Sequence, residues 1–368
     1  MAVKLNSSSG GSVTLQEPTT ASNYTLTVPA QTSTLATTVD AGNYYAFKNR
    51  IINGNMAIDQ RNAGASVSIN GTTSYVTDRF KITTSGGGVI SASRSTTAPT
   101  GFVNSLSNTV STADSSIASS DLYVIDQVIE GFNTADLGFG TASASTVTLS
   151  FWVRSSVTGT YGVRICNGSF NRTYVSTYVI NSANTWEQKT VTIAGDTTGT
   201  WATDNSGGIA VSWDLGSGTN WNGTANSWQA GNYLRTSGCV NWIATNGATF
   251  YITGVQLEKG TVATSFDYRP YGTELALCQR YFELVNATFS GYTGGGNNAA
   301  NTALFTVTKR AVPTMTWLGG VAQINFSQAS APGIYQTATV RNFYPFRTAT
   351  GTGQDSRWED AYSASAEL

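Results

Sequence analysis

With 368 residues the chain is long enough for two or three domains and a sizeable core. Charged residues make up only 11 %, and 20 Lys and Arg against 21 Asp and Glu leave a net charge of −1, so no long-range field draws in nucleic acid or an anionic membrane. Histidine is absent, which removes Ser-His-Asp and Cys-His catalysis and His-ligated zinc. Cys166, Cys239 and Cys278 have neither metal-ligand spacing nor the even count of a disulfide framework, and read as small buried hydrophobes. No apolar run approaches the roughly 18 residues of a membrane span, and the first residues lack the apolar segment of a signal peptide. Synthesis in a cytoplasm, without export by the usual route, is the expectation.

Residues 1–45 read as a separate unit. Ser12–Leu15 and Tyr24–Val28 are two short β-like runs, each followed by a proline, with too few apolar positions for a core of their own. Such a segment either stays a flexible tail or orders by packing against copies of itself or a partner. From Ala46 the character changes. Phe47, Ile51 and Ile52 precede a turn at Asn53-Gly54, and Tyr75–Ile82 reads as a strand. Gly86-Gly87-Gly88 has no Lys-Ser or Lys-Thr after it, so a hairpin turn is expected there and not a phosphate loop.

The clearest element is Thr146–Ser156. Val147, Leu149, Phe151 and Val153 fall on one side of a period-two ribbon, and Thr148, Ser150, Trp152 and Arg154 on the other. That alternation predicts an interior sandwich strand with one dry and one partly wet face. Asp121–Phe132, Gly159–Cys166, Arg172–Ile180, Trp186–Ile193 and Thr249–Glu258 read as further strands, spaced by Gly, Asn and Asp-Thr-Thr-Gly turns. Residues 46–270 therefore read as one all-β sandwich. Thr273–Val285 places Leu275, Cys278 and Phe282 on a helical stripe, a short helix that would also tolerate strand. After a Gly/Asn loop at 291–301, strands are expected at Leu304–Thr308, Thr314–Leu318, Ala322–Phe326, Tyr335–Tyr344 and from Trp358, a smaller C-terminal β domain over 271–368.

Two resemblances follow from these segments. Asn49-Arg-Ile-Ile-Asn-Gly, Ser150-Phe-Trp-Val and Phe250–Glu258 resemble the jelly-roll sandwich of carbohydrate-binding modules. That resemblance implies a structural calcium held by acidic residues, but Ala57 and Thr253 stand at those places, so no metal or cofactor is expected. Asn49–Gly54, Ile58-Asp-Gln-Arg, Gly195–Trp201, Ile252–Glu258 and Arg269–Tyr281, with the Gly-Ser-Val-Thr-Leu and Ser-Ala-Glu-Leu ends, are similar in combination to tailed-bacteriophage fibre proteins. This implies a homotrimer joined to the virion tail, baseplate or capsid through residues 1–45, its distal part meeting the host surface polysaccharide. It further implies a virion location, with no nucleic acid partner and no membrane insertion.

Trp201, Trp213, Trp221, Trp228 and Trp242, with Tyr233, are the aromatic residues of interest. A flat aromatic ring binds the C–H face of a sugar while neighbouring Asn, Asp and Thr bond its hydroxyls. Trp213 and Trp242 sit in strand-like contexts and belong to the core. Trp201, Trp221, Trp228 and Tyr233 are the candidate glycan-binding residues, Trp221 and Trp228 standing evenly between site and core. Glycoside cleavage needs two carboxylates across the bond. Asp196, Asp204, Asp214, Glu258 and Asp267 are scattered among turns, and no fixed repeat of a β-helix appears, so no enzymatic activity is expected. Arg269, Arg280, Lys309, Arg310, Arg341, Arg347 and Arg357 read as solvated edge protection and inter-subunit pairing, with acidic polysaccharide as the other reading. The expected function is a non-enzymatic fibre adhesin; a spacer without ligand is the rival, and a glycan depolymerase a more distant one.

Overall fold

The computed structural model describes residues 3–6, 12–15, 48–293, 297–324, 326, 332–334, 338–350 and 354–368. The chain divides into two compact units, Met1–Gly42 and Asn43–Leu368. In the first, β1 (Val3–Asn6) and β2 (Ser12–Leu15) pair antiparallel, Val3 opposite Leu15. The expected run at Tyr24–Val28 lies outside the described residues.

The second unit opens with a jelly-roll sandwich. Its strands are β3 (Val67–Asn70), β4 (Thr73–Thr77), β5 (Phe80–Thr84), β6 (Val89–Ser95), β7 (Ser105–Thr112), β8 (Tyr123–Glu130), β9 (Val147–Ser155), β10 (Gly159–Asn167), β11 (Arg172–Ile180), β12 (Glu187–Ile193), β13 (Gly207–Asp214), β14 (Trp228–Ala230) and β15 (Thr249–Lys259). One sheet runs β14-β11-β10-β13-β8-β5-β4 and the other β12-β9-β15-β7-β6-β3. The alternation in β9 does what it predicts: Val147, Leu149, Phe151 and Val153 are fully buried between the sheets. Each stabilises the fold by about 1.5–3 kcal/mol through burial. On the other face Trp152 and Arg154 are half-buried, but Thr148 and Ser150 are buried as well. All three cysteines are free and buried.

Two expectations are corrected here. Tyr75–Ile82 is not one strand, because Asp78-Arg79 makes a tight turn between β4 and β5 with Arg79 at φ 71°. Gly86–Gly88 is not a hairpin, since β5 and β6 belong to different sheets. The glycines carry the chain across the sandwich where space is short: a Cβ on Gly88 would lie 2.6 Å from Ile243.

The smaller β domain follows. Helix α1 (Tyr271–Gln279) starts after Pro270 and stops short of the expected Val285. The chain enters β16 (Phe282–Thr293) instead, where Val285 and Ala287 point inward and Leu284, Asn286 and Thr288 outward. This strand also takes up part of the expected 291–301 loop, and β17 (Asn298–Ala300) takes up more. Then come β18 (Ala303–Leu304), β19 (Thr314–Ile324), β20 (Gly333–Ile334), β21 (Asn342–Phe343), β22 (Pro345–Thr348) and β23 (Gln354–Ser365). Leu304–Thr308 is strand only at its first residue, and Thr314–Leu318 and the first three residues of Ala322–Phe326 merge into β19, kinked by two register shifts. Of Tyr335–Tyr344, residues 335–337 lie outside the described residues. The order β16-β23-β19 makes the main sheet, and Phe305, Phe343, Trp358 and Tyr362 centre a core of its own.

The joint between sandwich and smaller domain is polar and buried. Asn53, at φ 60°, donates its amide to Ile58 O (2.8 Å) and Asp78 O (2.9 Å) and accepts from Ile58 N (2.9 Å). Such a short amide side chain tolerates this left-handed backbone. Gly54 beside it leaves no room for a Cβ, which would lie 2.1 Å from Val255 O. Gln60 bridges Asp78 (2.5 Å) and Phe282 O (2.9 Å). Arg61 and Arg79 both bind Glu367, and Arg79 lies 3.6 Å over the Tyr281 ring. Arg280 and Tyr281 both donate to Glu130, at 2.9 and 2.8 Å. The last residues then cross the outward face of the seven-stranded sheet, where Tyr75 and Lys81 donate to Leu368 O. These are largely the segments that carry the fibre resemblance, and their work is to weld the two β domains.

Of the cations of the last hundred residues expected as solvated, Arg341 and Arg357 are exposed, while Arg269, Arg280, Lys309, Arg310 and Arg347 are engaged within the chain. Arg269 pairs with Glu274 (3.3 Å), Arg280 with Glu130, Lys309 with Glu283 (2.5 Å) and Arg347 with Asp360 (2.7 Å), and Arg310 donates to Ala366 O (2.9 Å). A cation removed from water is held only where a carboxylate or carbonyls replace its hydration. Arg357 alone of the pairs keeps a largely exposed side chain.

Candidate functional site

On either side of β14, the segments 216–222 and 233–240 lie on the outward face of the seven-stranded sheet. Gly162 stands between the core residues Tyr161 and Val163, and a Cβ there would lie 2.9 Å from both Leu234 O and Arg235 Cβ. Arg164, also outward, holds the second segment by donating to Ser212 Oγ (3.0 Å) and Tyr233 O (3.1 Å). Arg235 gathers the loop from beneath. It donates to Asn241 Oδ1 (2.8 Å) and to the carbonyls of Ser217 and Cys239, and its Nε lies 3.5 Å from Asp214 Oδ2. Burial pushes the Asp214 carboxyl above the usual carboxylate range, against the pull of Arg235 and the Ser217 amide.

Between these elements is a pocket of about 150 Å³, lined by Ile117, Ser217, Thr219, Asn222, Arg235 and Asn241 among others. At about 30 Å³ per water it has room for roughly five waters, or one ring-sized group. Its described lining carries one charge, Arg235, which Asp214 faces from below. What the pocket offers is hydroxyls, amides and backbone, a donor and acceptor set suited to a neutral hydroxylated ligand. Trp221 ends the single 3-10 turn Thr219–Trp221 between two lining residues, half-buried, with Nε1 donating to Ser120 O (3.2 Å). Tyr233 is half-buried against Gly223 and Gly231, where a Cβ would lie 2.7 Å from it in either case.

Trp201 and Trp228 are elsewhere. They meet edge to face at 5.4 Å, and Phe139 lies 4.8 and 5.8 Å from them. Trp228 stands opposite Tyr174 in the β14–β11 pair, on the core side of the sheet. Both indoles are half-buried, with Trp201 Nε1 donating to Thr198 O (3.1 Å) and Trp228 Nε1 to Ala194 O (2.8 Å). The four candidate residues thus separate into two pairs with the seven-stranded sheet between them. Trp213 and Trp242 are fully buried in the core, as expected. Asn222, Arg235 and Asn241 were not legible as a site. Arg235 and Asn241 meet only through the fold.

The scattered acids serve the scaffold. Against the cost of burial, the Arg172 guanidinium at 2.6 Å holds the Asp196 carboxyl below the usual carboxylate range. Glu258 accepts from Thr264 N (2.9 Å) and Oγ1 (2.7 Å), and Asp204 from Ser206 N (2.9 Å). Thr253, at one place where the module resemblance implies an acidic ligand, donates to Asn104 O (2.7 Å). Among the described residues no group of three His, Cys, Asp or Glu side chains is placed to hold a metal ion, and no helix is long and apolar enough to cross a membrane.

No protein-family model matches the sequence, and no curated protein matches it. Solved structures to which the chain is similar include the enzymatically active domain of tailspike protein 4 of bacteriophage CBA120, at 12 % identity and a TM-score of 0.29, covering 58 % of this chain and 21 % of that one. A family 11 carbohydrate-binding module from Clostridium thermocellum, in complex with a β-1,3-1,4-mixed-linked tetrasaccharide, is 11 % identical with a TM-score of 0.28, covering 55 % of this chain and 99 % of the module. The CBM22-1 xylan-binding domain from Paenibacillus barcinonensis Xyn10C is 9 % identical with a TM-score of 0.23, covering 55 % and 99 %.

Proposed function

We propose that the chain is a structural fibre protein of a tailed bacteriophage that adheres to host-surface glycan without cleaving it. In this reading it is made in the host cytoplasm, assembles as a homotrimer, and joins the virion tail, baseplate or capsid through residues 1–45. The observation that carries the adhesive part is the polar pocket over the seven-stranded sheet, its one charged lining residue, Arg235, facing Asp214. In this reading Thr219, Asn222 and Asn241 bond the hydroxyls of a pyranose. One such contact is weak, but three linked copies raise avidity by about 10²–10⁴. Among the described lining residues there is no carboxylate pair to span a glycosidic bond, which favours binding over cleavage.

The test is adsorption of the purified full-length chain to a panel of bacterial cells, before and after their surface polysaccharide is stripped. Binding that disappears on stripping and weakens at least fivefold in Asn222→Ala supports the adhesin. A folded protein that binds no cell of the panel, or binds equally after stripping, overturns it. The rival spacer reading rests on a specific observation: the N–H groups of Trp201, Trp221 and Trp228 are all already used by backbone carbonyls of the same chain.

A further inference from the structure

The outward face of the six-stranded sheet is a field of hydroxyls with one open cation in it. One cross-strand row runs Arg154, Tyr251, Ser107 and Ser93. Roughly 7 Å along the strands a second row runs Gln188, Trp152 and Thr253. Trp186 joins the first row, its ring meeting that of Tyr251 at 6.2 Å and 64°. The Arg154 guanidinium lies 5.0 Å over the Tyr251 ring and donates Nε to Asn184 O (2.9 Å). Among the described residues its two Nη groups have no partner, and no carboxylate pairs with it. The acids nearby in the register are already engaged. Glu258 shares the face at the far end of β15, where it is buried and accepts from Thr264. Glu187 stands opposite the core residue Val153, on the other face, and takes Lys189 and Asn181. The aromatic side chains here are also uncommitted. Trp152 and Trp186 are the half-buried tryptophans whose Nε1 bonds to no described residue, and Tyr251 Oη is likewise free, whereas Trp201, Trp221 and Trp228 spend their N–H groups on carbonyls.

We infer that this face, centred on Arg154, is a second carbohydrate site, separate from the pocket and selective for a sugar that bears a carboxylate. Charge selects the ligand. The pocket's Arg235 is balanced by Asp214, so that site favours a neutral residue, while Arg154 has no such counter-ion and its free Nη pair matches the two oxygens of a carboxylate. Tyr251 and Trp186 stand beside that charge with ring surface for the C–H face of the same sugar. Trp152 offers a second ring, one row along, to the next residue of the chain. The indole N–H groups and Ser107 supply donors and an acceptor for sugar hydroxyls. Other classes of partner fit less well. A nucleic acid backbone calls for several cations in a line, and here there is one. A protein partner would have to dry a field of serine and threonine hydroxyls, at a cost for each one left unbonded, whereas a sugar returns a hydroxyl for the water it displaces.

The experiment measures binding of the full-length chain to polygalacturonate, alginate and hyaluronate, each beside its carboxyl-reduced form. Binding to at least one of the three is expected, at least tenfold weaker after carboxyl reduction and at least tenfold weaker in Arg154→Gln, with an unchanged circular dichroism spectrum. Arg154 is half-buried on the surface of the sheet, so this substitution spares the core. Asn222→Ala and Arg357→Gln are expected to bind as the native chain does. The first separates this face from the pocket, and the second separates it from a general attraction of polyanions to exposed cations. Binding to none of the three, equal binding to the reduced forms, or an Arg154→Gln protein that binds like the native one overturns the inference, and so does an equal loss in Asn222→Ala or Arg357→Gln. Cell adsorption that fails while polyuronate binding holds overturns the adhesin reading and leaves this site standing.

Discussion

The joint and the loop face of the seven-stranded sheet use polar groups in opposite ways. At the joint, Arg79 is buried with its charge committed to Glu367, and Glu130 takes both Arg280 and Tyr281. Such groups are costly to desolvate and then costly to unpair, so they hold one arrangement of the two β domains. At the loop face the ion pair of Arg235 with Asp214 lies beneath the pocket, while Thr219 and Asn222 keep side chains in contact with water. Charge buried in pairs fixes shape; neutral polar groups left wet can exchange water for ligand.

The largest effect is expected at the joint. Glu367→Ala leaves Arg79 buried with its charge uncompensated and should cost about 3–5 kcal/mol, read as a fall in the urea midpoint, with pocket binding per folded molecule unchanged. Next comes Trp228→Ala, which removes an edge-to-face contact with Trp201 and half-buried area. A loss of about 2 kcal/mol with full adsorption to cells is expected. Lost adsorption at unchanged stability would move the binding site to the Trp201–Trp228 edge and break the contrast. Asn222→Ala should be the mirror case, within about 0.5 kcal/mol in stability but at least fivefold weaker in adsorption.

The smallest effect concerns acid. Burial raises the Asp78 carboxyl at the joint above its usual range, although Gln60 and Arg61 oppose the shift. At the surface Glu187 is the reverse. Its burial works upward, but Lys189 and the Asn181 and Ser182 groups hold it down to about 2. A raised carboxylate favours the folded state as it takes up its proton, so Asp78 adds relative stability as pH falls through its folded value. A depressed one contributes above about 4.5, its unfolded value, and loses that contribution as pH falls toward about 2. Urea midpoints between pH 6 and about 2 should therefore slope less steeply in Glu187→Gln than in the native chain, and more steeply in Asp78→Asn.

Local pattern by itself determined the all-β class, the dry side of β9, the burial of the cysteines and the core places of Trp213 and Trp242. Each depends on a residue's own character or on the two-residue period of a strand, which says which side chains share a face. Only the tertiary structure decided which strands became neighbours. That choice sent the Gly86–Gly88 crossing from one sheet to the other and put Trp228 and Tyr233, five positions apart, on opposite sides of a sheet. It also brought Arg79 to Glu367 across nearly the whole chain. A period of two carries no information about a partner hundreds of residues away, and the free energy of a buried charge or a pocket wall is set by that partner.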